Sequence, residues 1–306
     1  MTRRMLTIFT IPKAFEGHYG LIQRNAIGSW RELNPKCEVI LFGDEPGTRE
    51  TAGRFQLRYE PEIPRNEFGT PLLAPIFARA QQIATYDRLC YVNCDIVLLH
   101  CFSEAVLNVA RAFPKFLIVG RRRNAPVTQP IDFQRPNWEA QIRGFAMHSG
   151  QQDPPYAVDY FVFPRGVYSD VPPFAIGRFY WDHWLVWKAR SMKVPVVDAS
   201  SGVLAIHQQH GFPGQPPGGR DQETDPEAKR NRVLAGGLLH LYTIKHCTHG
   251  LAQGQIAKRR GAWHVPATNV LATYSNKLWY WLLSSTFQAR RTIGLYRRVA
   301  STNSVE

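Results

Sequence analysis

Asn93, Cys94 and Asp95 follow directly on the apolar run 89–92 and precede Ile96-Val97-Leu98-Leu99, so two polar side chains stand where a strand should end. On an extended chain residues i and i+2 point the same way, which aims the Asn93 amide and the Asp95 carboxylate at one divalent ion or its bound water. A hard cation such as Mn2+ or Mg2+ takes oxygen ligands and can bridge to a diphosphate, neutralising charge that builds on a leaving group. The competing reading is a turn in which Asn and Asp cap backbone groups.

Two further clusters carry chemistry. Asp159-Tyr160-Phe161-Val162-Phe163 and Gly177-Arg178-Phe179-Tyr180-Trp181-Asp182-His183-Trp184 alternate acids with aromatics. Aromatic faces suit the C–H surfaces of sugars, and an ionised carboxylate near a hydroxyl can take its proton. Asp182 is the candidate base, against the alternative that it caps the helix running through Leu185 and Ala189. Ala205-Ile206-His207-Gln208-Gln209-His210-Gly211 ends another apolar run, with histidines three apart. There His207 is the candidate that completes a metal sphere, the alternative being a hydrogen-bonded structural imidazole. His246, Cys247 and His249 lack a partner pair at zinc-finger spacing and are assigned no metal.

Anion-binding candidates lie in the first half. Thr10-Ile11-Pro12-Lys13 follows the first apolar run, and Gln23-Arg24-Asn25 lines the next helix, which makes Lys13 and Arg24 suitable partners for a diphosphate. Asp44, after the second run, is placed to accept hydrogen bonds from a base or ribose. Gly120-Arg121-Arg122-Arg123 reads either as a pyrophosphate clamp or as a solvated charge run.

The elements that must position these residues are legible as a rhythm. Short β-rich runs recur at 5–10, 38–42, 55–59, 89–92, 116–119, 160–163, 194–197 and 203–206. Helical spacing of Ile22, Ala26, Ile27, Trp30 and Leu33 predicts a first helix that ends at Asn34-Pro35, and further helices are expected over 75–86, 103–111 and 181–190. This order predicts an α/β sandwich with mostly parallel strands, whose ligands bind beyond the strands' carboxyl ends. Residues 124–150 read as polar and irregular, and 211–232 as a Gly/Pro-rich mobile loop or lid.

Over about residues 5–210 the combined pattern resembles the GT-A glycosyltransferases, specifically the nucleotide-diphospho-sugar transferase-like proteins of bacteria and plants. The resemblance is carried by Phe9-Thr10-Ile11-Pro12-Lys13, Gln23-Arg24-Asn25-Ala26-Ile27 with Ser29-Trp30, and Gly69-Thr70-Pro71-Leu72. It continues in Tyr91-Val92-Asn93-Cys94-Asp95, Gly120-Arg121-Arg122, Gly177-Arg178 before Trp181-Asp182-His183-Trp184, and Ile206-His207-Gln208. It implies a GT-A-type, Rossmann-like sheet over 1–265 and transfer of a sugar from a nucleoside diphosphate sugar, UDP favoured, to a glycan or lipid-linked hydroxyl, by inversion if Asp182 is the base and by retention if Asp182 instead positions the donor or caps a helix. Asn93 and Asp95 then occupy the D-x-D metal motif, His207 resembles the late metal ligand, Asp44 the nucleoside reader and Asp182 the base. Thr10, Pro12, Lys13, Arg24, Thr70, Asn93, Arg123, Asp159 and Arg178 complete the expected donor site, with Mn2+ or Mg2+ as cofactor. Asn93 stands where the family has a first carboxylate, which leaves Asp95 as the main charged ligand. A catalytically silent nucleotide-sugar or carbohydrate-binding protein of the same fold is the alternative.

Composition is consistent with this reading. The 306 residues are 44% hydrophobic and 20% charged, ordinary for a globular chain. Lys and Arg outnumber Asp and Glu by 37 to 24, a net +13 that favours an anionic partner. Nucleic acid is argued against by the absence of zinc-finger spacing and of an RNA-recognition aromatic motif. Five scattered cysteines and the lack of a signal-like start or a long apolar run suggest a cytoplasmic protein. Residues 266–306 interleave aromatics with Arg290, Arg291, Arg297 and Arg298; this basic tail suits the inner, anionic face of a membrane, or else an amphipathic helix closing the core or a dimer contact.

Overall fold

The computed structural model describes residues 6–211 and 224–259. The basic tail and most of the expected 211–232 loop lie outside the described residues. The first half runs β1 (Thr7–Thr10), α1 (Gly17–Glu32), β2 (Glu38–Phe42), α2 (Thr48–Phe55), β3 (Arg58–Glu60), α3 (Leu73–Ile83), β4 (Arg88–Val92) and β5 (Ile96–Val97). It continues through α4 (His100–Ala112), β6 (Leu117–Val119), β7 (Arg122–Ala125), α5 (Trp138–Ser149), β8 (Gln151–Gln152) and β9 (Tyr160–Pro164). The last elements are α6 (Trp181–Ser191), β10 (Val196–Asp198), β11 (Ala205–Gln208), α7 (Pro226–Leu234), β12 (His249–Ala252) and β13 (Gln255–Lys258).

The main sheet has the order β13-β12-β10-β6-β9-β4-β1-β2-β3. β4, β1, β2 and β3 are parallel neighbours, as are β6, β10 and β12, while β9 runs antiparallel between β4 and β6. A second, smaller sheet has the order β5-β11-β7-β8.

Strand alternation sorts the apolar side chains onto two faces. Phe9, Ile40, Phe42, Leu89, Tyr91, Phe161 and Phe163 pack against α3 and α6 through Phe77, Trp181 and Leu185. Ile8, Val39, Leu41, Cys90, Val92, Tyr160 and Val162 pack against α1 and α4 through Ile27, Trp30, Phe102 and Val106. With both faces covered, the strands read in sequence as continuous apolar runs.

Three expectations are corrected. Residues 124–150 are not irregular throughout: they contain the end of β7 and all of α5, because Trp138, Ile142 and Ala146 recur every fourth residue and cover Val97 and Ile206 of the small sheet and Leu99 at the start of α4. The stretch 211–232 includes the start and most of helix α7, begun by Pro226 and by the Asp225 carboxylate, which accepts from the backbone N–H groups of Glu227 and Ala228. The expected strand at 55–59 begins only at Arg58; Phe55 ends α2, and Gln56 takes a left-handed conformation (φ 54°) that closes the helix.

Candidate functional site

β1 lies between β2 and β4, so the chain first builds outward in one direction and then returns to the other side of β1. A crevice opens at such a switch point, beyond the carboxyl ends of the strands. Register puts most of the expected site residues on this edge. Thr10 ends β1, Asp44 follows β2, Asn93 to Asp95 follow β4, and Asp159 immediately precedes the antiparallel β9, whose Tyr160 pairs with Val92. Gly120 to Arg123 follow β6 on the same edge; a Cβ at Gly120 would collide with the hydroxyl of the buried Tyr160.

The small sheet assembles the centre of the site. Its register pairs His207 with Ile96 on one side and with Asn124 on the other, which carries the His207 imidazole to Asp95. The His207 Nε2 lies 3.6 Å and the His210 Nε2 2.9 Å from Asp95 Oδ2. His207 Nδ1 donates to Asn124 Oδ1 at 2.9 Å, because that oxygen only accepts, so Nε2 is the nitrogen that faces the carboxylate: it donates to Asp95 in the charged ring and offers a lone pair to an ion in the neutral one. Burial alone would raise the Asp95 carboxyl, but the charges and hydrogen bonds of His207 and His210 hold it well below the usual carboxylate range. Asp95 Oδ1 is buried and accepts no hydrogen bond from the described residues.

These features fit a metal ion. One ligand atom each from Asp95, His207 and His210 lies within 4.8 Å of the other two. Ligands around one small dication at about 2.1 Å are about 3.0 Å apart when adjacent and about 4.2 Å when opposite, so little movement is needed. The unpartnered Asp95 oxygen is the lone pair such an ion would use. Sequence reasoning assigned Asp95 and His207 but not His210, although the three-residue spacing of the histidines was the available signal.

Asn93 takes a different part from the one its motif suggested. Its Nδ2 donates to Asp159 Oδ1 at 2.6 Å, and its backbone N–H donates to the Asp159 carbonyl at 3.0 Å. Asp159 Oδ2 accepts from Arg122 at 2.5 Å, and Arg122 also donates to Asp153. Burial pushes the Asp159 carboxyl up, against the pull of Arg122 and His207.

The remaining expected residues divide. Pro12 is buried and Lys13 exposed, with the Lys13 backbone gripped by Gln23: its N–H donates to Gln23 Oε1 at 2.7 Å, and its carbonyl accepts from Gln23 Nε2 at 2.9 Å. Lys13 Nζ also sits over the Tyr19 ring, 4.4 Å from its centre. Arg24 lies 3.5 Å from the Phe15 carbonyl. Asp44, 69% exposed, pairs with Arg65 at 2.9 Å and lines an open cavity with Pro61, Glu62, Ile63 and Pro64. Thr70 and Arg178 belong to one buried network: Arg178 donates to Thr70 Oγ1 at 3.2 Å and pairs with Glu227 of α7, which also accepts from Asn66. Arg123 donates to the carbonyls of Ala146, Met147 and Gly150 at the end of α5.

No family model and no curated protein sequence matches this chain. Solved structures do resemble it. One is the glucosyl-3-phosphoglycerate synthase of Mycobacterium tuberculosis in complex with Mn2+, uridine diphosphate and phosphoglyceric acid, with a TM-score of 0.47 at 15% identity over 77% of this chain and 80% of that one. Another is TarS 1-349 of S. aureus in complex with UDP-GlcNAc, with a TM-score of 0.46 at 9% identity over 68% of this chain and 59% of that one.

Asp182 stands in the first turn of α6. The helix is preceded by Tyr180 at φ 89°, and no side chain caps its start, so Asp182 does not serve the capping role that was its alternative reading. Its Oδ1 is buried and accepts no hydrogen bond from the described residues. Trp181 packs edge-on against Tyr91 at 5.3 Å and meets Phe161 at 5.6 Å, which ties this helix start to the ends of β4 and β9 that lead into the site. No helix among the described residues is long and apolar enough to cross a membrane.

Proposed function

We propose that this chain is a glycosyltransferase that moves a sugar from a nucleoside diphosphate sugar, a UDP-sugar first, to an acceptor hydroxyl on a glycan or lipid-linked molecule. The observation that carries the reading is the convergence of Asp95, His207 and His210 at the carboxyl edge beside the switch point. These three residues would hold Mn2+ or Mg2+, whose chemistry is to neutralise the diphosphate as it departs. Lys13, exposed after β1, is the side chain of the expected set best presented to a phosphate, and Asp44 on the open cavity after β2 is the candidate acceptor for base or ribose hydrogen bonds. Arg123 and Arg178 act in this reading through the elements they tie together, α5 and α7, and Arg24 through the segment entering α1. Asp159 and Asn93 brace the loop that carries Asp95.

Asp182 is the proposed base. Its carboxylate takes the proton of the acceptor hydroxyl while that oxygen bonds to the anomeric carbon and the bond to the diphosphate breaks, which inverts the anomeric centre. Asp182→Asn should lower kcat about 10²–10⁴-fold with the donor KM little changed. An unchanged kcat would remove Asp182 from this role, and a product anomer matching the donor's, read by NMR, would remove inversion.

A panel of UDP- and GDP-sugars, with nucleoside diphosphate release and donor binding followed together, tests the function. Release from one donor class supports transfer. Donor binding without release under any acceptor condition supports instead a silent binding protein, the reading favoured by an Asn93 amide tied to Asp159 rather than a second carboxylate at the metal.

A further inference from the structure

The metal centre of the proposed transferase differs from an all-oxygen site in a way that its residues make specific. Asn93 Nδ2 donates to Asp159, and Asp159 in turn is paired with Arg122, so the two acids at this edge do separate work. Asp159 braces the loop, and Asp95 faces two imidazoles. The His207 tautomer is fixed by Asn124, leaving Nε2 aimed at Asp95.

His210 is held in the same cluster by helix α1. The Tyr19 ring lies 5.1 Å from the His210 ring, and the Tyr19 hydroxyl donates to the Gly211 carbonyl at 2.5 Å. His18 Nε2 is 3.0 Å from the Gln209 carbonyl. Residues on both sides of His210 are therefore gripped by the first turn of α1, and the imidazole meets Asp95 without help from a ligand.

Resting on the proposed transferase reading, we infer that Asp95, His207 and His210 form a preassembled site of one carboxylate and two imidazoles that selects a first-row transition dication over Mg2+ and binds it before the nucleotide arrives. Imidazole nitrogen suits Ni2+ and Zn2+ best and Mn2+ least of the first-row series, whereas Mg2+ demands oxygen ligands and gives up its waters reluctantly. A single protein carboxylate offers Mg2+ too little, and two nitrogen donors add nothing it prefers. The affinity of the protein alone rises from Mn2+ through Co2+ to Ni2+, with Mg2+ far below all three.

The test uses the full-length chain stripped of metal by a chelator, without nucleotide. Mn2+ binding is read by electron paramagnetic resonance and Co2+ binding by its visible ligand-field spectrum. The expected result is one ion per chain, no displacement by a large excess of Mg2+, and a loss of about 10–100-fold in affinity in His210→Ala and in His207→Ala. Thermal melts of both variants and of His210→Asn, which keeps a donor for Asp95 but has no imidazole, identify any loss caused by misfolding. If His210→Ala does not fold, His210→Asn gives the answer in its place.

Mg2+ displacing Mn2+ at comparable concentration, unchanged affinity in the folded histidine variants, or no ion bound without nucleotide would each overturn the inference. Failure here is distinguishable from failure of the transferase reading. Metal-dependent donor turnover by a protein that binds no ion alone rejects only the preassembled site. Tight Mn2+ binding with no donor turned over rejects only the transfer.

Discussion

Asn93 differs from the aspartate expected at its place in a D-x-D motif by one atom and one charge, and that atom is a donor. Its Nδ2 reaches Asp159 at 2.6 Å, so restoring the carboxylate by Asn93→Asp would set two acids against each other where one hydrogen bond now stands. Asn93→Asp is expected to destabilise the fold by about 1–3 kcal/mol rather than to improve the metal site. Urea denaturation measures this, and a variant as stable as the wild type with tighter Mn2+ binding would reverse the assignment. The sequence showed which residue types stand at 93 and 95, but not that their side chains part. Extended-chain alternation assumes a strand, whereas β4 stops at Val92 and β5 starts only at Ile96.

At the scale of elements, the site depends on how α1 is fastened to β11. Gln208 is fully buried, donates to the carbonyls of Ile22 and Asp95, and accepts from Asn25, whose own amide oxygen takes the N–H of Ile131. Gln208→Ala should cost about 1–3 kcal/mol for each polar group left unsatisfied, and should weaken Mn2+ binding because the Asp95 backbone loses an anchor. Chemical denaturation beside a Mn2+ titration checks both, and lost stability with unchanged metal affinity would separate Gln208 from the site.

His246 makes the corresponding argument for pH. The Thr243 backbone N–H donates to His246 Nδ1 at 2.8 Å, which requires that nitrogen to be unprotonated. Burial is the main cause that pushes the His246 imidazole down to about 4, with Arg190, His183 and Lys245 adding to it against an opposing backbone contact with Thr243. Below pH 6.5 the unfolded chain gains a proton that the folded chain refuses, so stability from this group is complete above about 6.5 and falls as pH drops toward about 4. His246→Asn keeps an acceptor for the cap and removes the titration. Its Tm should therefore vary less than the wild type's between pH 7 and 4, and parallel curves would assign the acid sensitivity elsewhere.

At the scale of the whole molecule, the parts legible in sequence were those written in local pattern. The runs that became β1, β2, β4, β6 and β9 place apolar side chains on both faces of the sheet, and α1 announced itself by helical spacing. Helix α5 was missed because its covered face is narrow: only Ile142 and Ala146 of its twelve residues are buried, within a largely polar segment. The strands β12 and β13 carry few apolar residues, and Leu251 is their only buried one.

Charge divides in the same way. The net +13 can be counted in sequence, but which cations remain for an anion is decided by folding. Arg65 is engaged by Asp44 and Glu45, Arg122 by Asp153 and Asp159, Arg178 by Glu227, and Arg259 by Asp198. Side chains that looked like a pyrophosphate clamp in Gly120-Arg121-Arg122-Arg123 prove to have carbonyl and carboxylate partners contributed from distant parts of the chain.

Asp95 is the charged centre of the proposed metal-assisted transfer. Release of nucleoside diphosphate from UDP-sugars should be measured for the wild type and Asp95→Ala, with and without Mn2+, alongside thermal melts of both. The predicted result is Mn2+-stimulated release in the wild type and none in a folded Asp95→Ala. Equal release by the two proteins, or release indifferent to the metal, would contradict it.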